Sequence, residues 1–192
     1  MLLLSDTSRW SGLAHDHLRR VFRSVDWYPW DYGEEHTRYF QNWSGCDLLF
    51  AFKADQVVPS EMLNKVRELA VNFHPSLPDY RGIGGYRYAL DESRAEFGAT
   101  CHLITLNLDG GPILGVDRFA VPPGESEECL RERTAAVALT QFHRVTNMIS
   151  HKRTLVPDCR EQWGEHLYTR HELERYLQEQ LTPRRGTVLA GA

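Results

Sequence analysis

The stretches Asp47-Leu48-Leu49-Phe50-Ala51-Phe52 and Leu69-Ala70-Val71-Asn72-Phe73-His74-Pro75 decide how this chain is read. Each opens on a short continuous apolar run, the signature of a strand buried on both faces of a parallel sheet. Between them Pro59-Ser60-Glu61 opens a helix through Leu63 and Val66, with proline at its favoured early position. A strand, a helix and a second strand within this span predict a βαβ unit.

The rest of the chain repeats the alternation. Met1 to Leu4 forms a first strand running into the turn residues Ser5-Asp6-Thr7-Ser8, and Leu13 to Phe22 forms a helix whose face carries Leu13, Leu18, Val21 and Phe22. Ser24 to Trp30 is a second strand, and Tyr86 to Leu90 is helical after the Gly84-Gly85 turn. Ala99 to Leu106 and Pro112 to Val121 are strands flanking Asp109-Gly110-Gly111. The longest helix runs from Glu125 to Ile149, with Leu130, Thr134, Val137, Ala138, Phe142, Val145 and Ile149 at three- and four-residue steps. From Ser150 the tail contains Pro157, Pro183 and one short helix, His171 to Leu181, and ends in the frayed run Gly186 to Ala192. Trp163 to Leu173 reads as a capped short helix placed to pack against a second subunit or the acceptor side. The result is an α/β fold, with a catalytic core over residues 1–150 and a C-terminal extension over 151–192 with a packing or oligomerisation role, a homodimer being one assembly it could serve.

Composition narrows the function. The 192 residues carry 22 Lys+Arg against 26 Asp+Glu, a net charge of −4, with 42% apolar residues. A chain of this length buries about 70% of its unfolded surface without a staple. Mild acidity without a basic run argues against nucleic acid, because phosphate neutralisation needs clustered cations. The apolar run Leu2 to Leu4 is too short for a signal peptide or a membrane span. Cys46, Cys101, Cys129 and Cys159 contain no Cys-x-x-Cys pair, so they read as reduced thiols of a cytoplasmic protein, with no disulfide framework and no metal site.

Polar groups that leave a buried strand at its carboxyl end are the first candidates for chemistry. Asn72 and His74 sit two apart in an extended segment and point the same way. Asp109 lies 37 residues beyond Asn72, and Gly110-Gly111 after it lets a backbone approach a ligand closely. The three supply an amide donor for an oxyanion, an imidazole that gives or takes a proton, and a carboxylate whose pKa burial can raise. That set suits acyl transfer to an amine without a metal. By themselves the residues also fit plain turn roles: a histidine before proline, an aspartate before two glycines.

The run Asn72-Phe73-His74-Pro75-Ser76-Leu77-Pro78-Asp79-Tyr80-Arg81-Gly82 resembles the motif of formyltransferases that use 10-formyltetrahydrofolate. Gly98-Ala99-Thr100-Cys101-His102 and Leu108-Asp109-Gly110-Gly111-Pro112-Ile113 resemble that family's second block, in the same order and at similar spacing. The likeness covers Asp47 to Ile149 and extends to Met1–Trp30 in pattern only. It implies a Rossmann-like, mostly parallel twisted sheet with helices on both faces. It also implies that Asn72, His74 and Asp109 are catalytic: Asn72 and protonated His74 stabilise the oxyanion, and Asp109 keeps His74 charged. Lys53, Asp55, Gln56, Val57 and Val58 match the loop that holds the folate, with Leu106, Asn107 and Leu108 as its other wall. Trp10, Tyr80, Arg81 and Tyr86 are candidates for the acceptor, while His102 reads as a hydrogen-bonded structural residue.

Departures from the pattern bear on the acceptor. Only residues 150–192 follow the long helix, and the charge is negative, which leads to the expectation of a small acceptor rather than tRNA. Ser5-Asp6-Thr7-Ser8-Arg9-Trp10-Ser11-Gly12 lacks the glycine-rich phosphate loop of the glycinamide ribonucleotide enzymes. The loop after Pro75 is one residue shorter than the usual form. The resemblance therefore implies an N-formyltransferase acting on a small amine, such as an amino nucleotide sugar. A formyltetrahydrofolate hydrolase and a non-catalytic folate-binding protein are the alternatives.

Overall fold

The computed structural model describes residues 1–33, 43–158 and 160–181. Cys159, Pro183 and the run Gly186 to Ala192 lie outside the described residues. Thirteen elements follow one another as β1 (Leu2–Ser5), α1 (Arg9–Val21), β2 (Asp26–Pro29), β3 (Cys46–Phe52), α2 (Ser60–Leu63), β4 (Val66–His74), β5 (Arg81–Gly82), α3 (Gly85–Asp91), β6 (Glu96–Leu103), β7 (Ile113–Ala120), α4 (Glu127–Ser150), β8 (Leu167–Tyr168) and α5 (Arg170–Leu181). The main sheet has the order β2-β1-β3-β4-β6-β7. β2, β1, β3 and β4 run parallel, while β6 pairs antiparallel with both β4 and β7. The chain reverses direction across β1, which makes the carboxyl ends of β1 and β3 a topological switch point.

Alternation along each strand divides the core in two. Leu3, Phe50, Phe52, Val71, Phe73, Ala99 and Cys101 face α1 and α4, where they meet Ala14, Leu18, Ala138 and Phe142. Leu2, Leu4, Leu49, Ala51 and Ala70 face the opposite way, toward Met62 of α2. A third cluster at the end of the sheet joins Leu77, Tyr80, Tyr88, Phe97 and Leu130. Helices thus cover both faces, but unequally. The long pair α1 and α4 fills one face, and the other is left with a single short turn of helix and room for a site.

Several boundaries differ from the sequence reading. The helix opened by Pro59 stops at Leu63, because Val66 already pairs with Cys46 in the parallel ladder. The α1 face is rotated: Ser11, Ala14 and Leu18 are buried, whereas Leu13 is 48% exposed. β6 begins three residues before the expected Ala99 and ends at Leu103, where the chain leaves the ladder to form the loop to β7. Trp163 lies in no helix; Leu167–Tyr168 is a strand and α5 starts at Arg170. The cap there is reciprocal: Thr169 N–H donates to Glu172 Oε2 and Glu172 N–H to Thr169 Oγ1. Cys46 and Cys101 are buried free thiols and Cys129 is exposed. Among the described residues no helix is long and apolar enough to cross a membrane.

Candidate active site

The alternation that sends Val71 and Phe73 into the aromatic core turns Asn72 and His74 to the opposite face of the sheet. Antiparallel pairing with β6 then sets His102 beside Asn72 and Thr100 beside His74. The loop from Ile104 to Pro112 carries Asp109 back over this pair. Asn72 Nδ2–H donates to Asp109 Oδ1 over 3.2 Å. His74 Nδ1 stands 3.6 Å from Asp109 Oδ2, an ion-pair distance rather than a hydrogen bond. Its other nitrogen, Nε2, donates to the Tyr80 carbonyl at 2.9 Å, so the nitrogen free to meet a substrate is Nδ1.

His102 belongs to the same cluster, hydrogen-bonded as expected, with two of the candidate residues among its partners. Its Nδ1–H donates to Leu103 O at 2.9 Å, which leaves Nε2 within 3.0 Å of Asn72 Nδ2 and 3.3 Å of Asp109 Oδ1. Nε2 can accept from Asn72 when bare, or donate to Asp109 when protonated, but not both. The signal that would have found it is the cross-strand register, which exists only once β4 and β6 are known to pair.

Asp109 is 8% exposed. Burial pushes its carboxyl up, yet the two imidazoles and the Gly82 N–H, which donates to Oδ2 at 2.9 Å, outweigh burial and hold it well below the ordinary carboxylate range. The expected rise is therefore reversed, and the group acts as a fixed negative charge. Asp109 also sits in the left-handed backbone region, φ 41°, as does Lys53, φ 50°. Such strain costs on the order of 1–3 kcal/mol per residue and is characteristic of functional sites. Gly111 serves its own chain rather than a ligand: a Cβ there would collide with the Leu103 carbonyl.

The cluster opens into a cavity of about 550 Å³, within the usual range of small-molecule sites. Lys53, Asp55, Gln56, Val57 and Val58 line one side, and Leu106, Asn107 and Leu108 the other. Val57 and Leu106 are largely exposed at its mouth. Two buried polar atoms on its wall, Gln56 Oε1 and Ser76 Oγ, have no hydrogen-bond partner among the described residues. Lys53 Nζ donates to Asp6 Oδ2 at 2.7 Å, and Asp6 Oδ1 accepts from Ser8 N–H and from the Ser8 and Ser11 hydroxyls. The start of α1 is thus filled by a carboxylate of the chain itself, where a phosphate loop would offer free N–H groups.

The acceptor candidates separate. Tyr86 lines the cavity, with the Arg131 guanidinium 4.8 Å from its ring centre. Trp10 lies outside it, its indole N–H donating to Glu132. The Tyr80 side chain is buried among aromatics, with its hydroxyl donating to Glu92 at 2.5 Å. Arg81 spends its guanidinium on the chain: Nε–H donates to Asp109 O at 2.8 Å, and Nη2–H to Leu108 O and Asn107 Oδ1. It clamps the wall of the cavity instead of reaching into it. Leu167, Tyr168, Thr169, Arg170 and Leu173 also line the cavity, so part of the stretch expected to face a second subunit or the acceptor side lies on its wall. Arg170 lies over the ring of Tyr32 and 3.8 Å from Asp55.

Comparison with known proteins bears on the family and the fold. Phosphoribosylglycinamide formyltransferase of Escherichia coli is 35% identical over 80 residues, which cover 41% of this chain and 36% of that protein. GDP-perosamine N-formyltransferase of Brucella melitensis is 28% identical over 100 residues, 52% of this chain and 39% of that protein. The chain therefore spans well under half the length of these two relatives. Among solved structures, a formyltransferase of Anoxybacillus kamchatkensis, in complex with UDP-4,6-dideoxy-4-formamido-L-AltNAc and tetrahydrofolate, superposes with a TM-score of 0.70 at 21% identity, covering 92% of this chain and 89% of that one. The fold is shared, and the formyl transferase family model matches residues 28–146. A match over more than half of the sequence, enclosing Asn72, His74 and Asp109, makes the chain a member of the formyl transferase family.

Proposed function

We propose that the protein transfers a formyl group from 10-formyltetrahydrofolate to the amine of a small acceptor, an amino sugar carried on a nucleotide. The observation that carries this reading is the convergence of Asn72, His74 and Asp109 at the floor of a walled cavity. The donor site fits a flat heterocycle rich in hydrogen-bonding groups. Gln56 Oε1 lacks a partner there, and the two loops Lys53–Val58 and Leu106–Leu108 present backbone edges and apolar side chains on either side. The sugar class is supported by the complex of the Anoxybacillus enzyme and by the Asp6 carboxylate at the start of α1, which disfavours a terminal phosphate at that point.

When bound, the donor supplies an acyl carbon on a weakly basic aryl nitrogen. With one Nδ2 hydrogen on Asp109 Oδ1, Asn72 has its second to give the formyl oxygen that becomes negative as the amine adds when His102 Nε2 carries a proton and does not accept it. His74 in its protonated form keeps Nε2–H on Tyr80 O and has Nδ1–H to donate, with Asp109 compensating its charge. One proton leaves the amine and one reaches the departing nitrogen. His74 is positioned to give its Nδ1 proton to the departing nitrogen and then to take the one the amine loses, while Asp109 stays anionic and compensates the imidazolium charge.

The test is turnover of the purified protein with 10-formyltetrahydrofolate and a panel of nucleotide-linked amino sugars, read as formylated product by mass spectrometry. His74→Ala and Asp109→Ala should each lower kcat by about 10³-fold or more while folate binding persists. Near-normal turnover in either variant overturns the assignment, and formate release without any amine identifies a hydrolase instead.

A further inference from the structure

Trp163 lies beyond the span that matches the family, yet its indole reaches the catalytic cluster. Its ring centre is 4.9 Å from that of His102, at an interplanar angle of 88°, and 6.2 Å from that of His74, at 62°. Nε1–H donates to the Gly111 carbonyl at 2.7 Å, which fixes the indole to the loop that carries Asp109.

The backbone around Trp163 is pinned from several sides. Gly164 N–H donates to Pro78 O at 3.0 Å, and Arg81 Nη1–H donates to Gly164 O at 3.3 Å. A Cβ at Gly164 would stand 3.0 Å from the Asp79 carbonyl, so the chain packs close against the loop that follows His74. Three residues later β8 pairs with β5. The indole is therefore held rigidly, although the segment contributes no group of its own to proton transfer.

His74 and His102 approach different oxygens of one carboxylate, at 3.6 and 3.3 Å. Each imidazole is tied to the backbone at its other nitrogen, His74 to Tyr80 O and His102 to Leu103 O, and a single bond of that kind still leaves the ring room to tilt, which would break that arrangement. We propose that Trp163 is a positioning residue of the transfer reaction: its indole touches both imidazoles at once, sets their angle to Asp109 and keeps water from that side of the cluster. An aromatic ring suits the task because it meets each imidazole in a T-shaped arrangement, at 88° for His102 and 62° for His74. Exclusion of water also strengthens the charge coupling on which Asp109 depends.

This inference rests on the formyl-transfer reading, so its test has a readout that needs no turnover. The imidazole Cε1–H resonances of His74 and His102 are followed by NMR across pH in the wild type, Trp163→Phe, Trp163→Leu and Trp163→Ala. Their titration midpoints are expected to shift in the Leu and Ala variants and to return toward wild type in Trp163→Phe. In kinetics, Trp163→Ala should lower kcat by about 10–100-fold, with the donor KM changed by less than about 3-fold and the pH profile of kcat displaced; Trp163→Phe should recover most of the loss. Unchanged midpoints and an unchanged pH profile in a folded variant overturn the proposal, even if thermal stability falls. Should Trp163→Ala not fold, the comparison of Leu with Phe decides, and equal behaviour of the two overturns it. A wild type with no transfer activity but shifted midpoints in the variants would instead unseat the proposed function and leave the positioning role standing.

Discussion

Asn72 faces the cavity because its neighbours do not. Val71 and Phe73 are taken by the aromatic core, and the two-residue period of a strand leaves positions 72 and 74 for the other face. This much is legible in the sequence, since apolar and polar residues alternate there and a proline ends the strand. The partners of Asn72 are not legible. His102 comes beside it through an antiparallel register, and Asp109 through a loop clamped by Arg81. The same contacts reassign two acceptor candidates, because Tyr80 acts through its carbonyl and Arg81 through the carbonyls it holds. At this scale Asn72→Ala should lower kcat by about 10²–10³-fold, as the loss of one oxyanion donor does, with little change in the donor KM; steady-state kinetics on the purified variant measures it.

Between elements, the contact of α1 with α4 carries an unusual pair. His17 and His143 stack with ring centres 4.0 Å apart, and His17 Nε2–H donates to Thr146 Oγ1, whose own hydrogen goes to Phe142 O. Burial, His143 and Arg20 together push the His17 imidazole down to about 4 from 6.5. A base depressed in the folded state is protonated first in the unfolded chain, so stability is complete above about pH 6.5 and is lost as pH falls toward 4. Wild type should therefore lose more Tm between neutral and mildly acid pH than His17→Gln does; equal losses in a calorimetric comparison would refute this. The long helix was readable from its three- and four-residue steps, and most of its expected contacts are buried. The small sheet of β5 and β8 was not, because two-residue strands show no period. It depends on Gly82, whose φ of 85° and closeness to the Tyr168 carbonyl leave no room for a side chain.

Over the whole molecule the sheet divides labour between its faces. One packs Phe50, Phe52 and Phe73 around Phe142 of α4, with ring centres 5.9, 5.3 and 4.7 Å from it. The other carries the site. Phe142 is fully buried, so Phe142→Ala should cost about 3–5 kcal/mol, a large part of the stability of a domain this size. Phe142→Leu should cost clearly less, and urea unfolding monitored by circular dichroism distinguishes the two. A loss below about 1 kcal/mol for the alanine variant would show that this face is not the stabilising one.

What the amino-acid sequence determined by itself was local and periodic: the buried strands and the amphipathic long helix, each encoded in neighbouring residues through side-chain alternation and turn chemistry. The candidate trio Asn72, His74 and Asp109 and the two loops that wall the cavity were legible only through their resemblance to a family motif. Tertiary structure alone decided that His102 joins the trio, that the Asp109 carboxyl is held down rather than raised, and that Trp163 and Arg170 come from the far end of the chain to the site. Those outcomes depend on strand register, on the balance of burial against nearby charge, and on long-range closure of the C-terminal segment. None of these is a property of any one stretch of sequence.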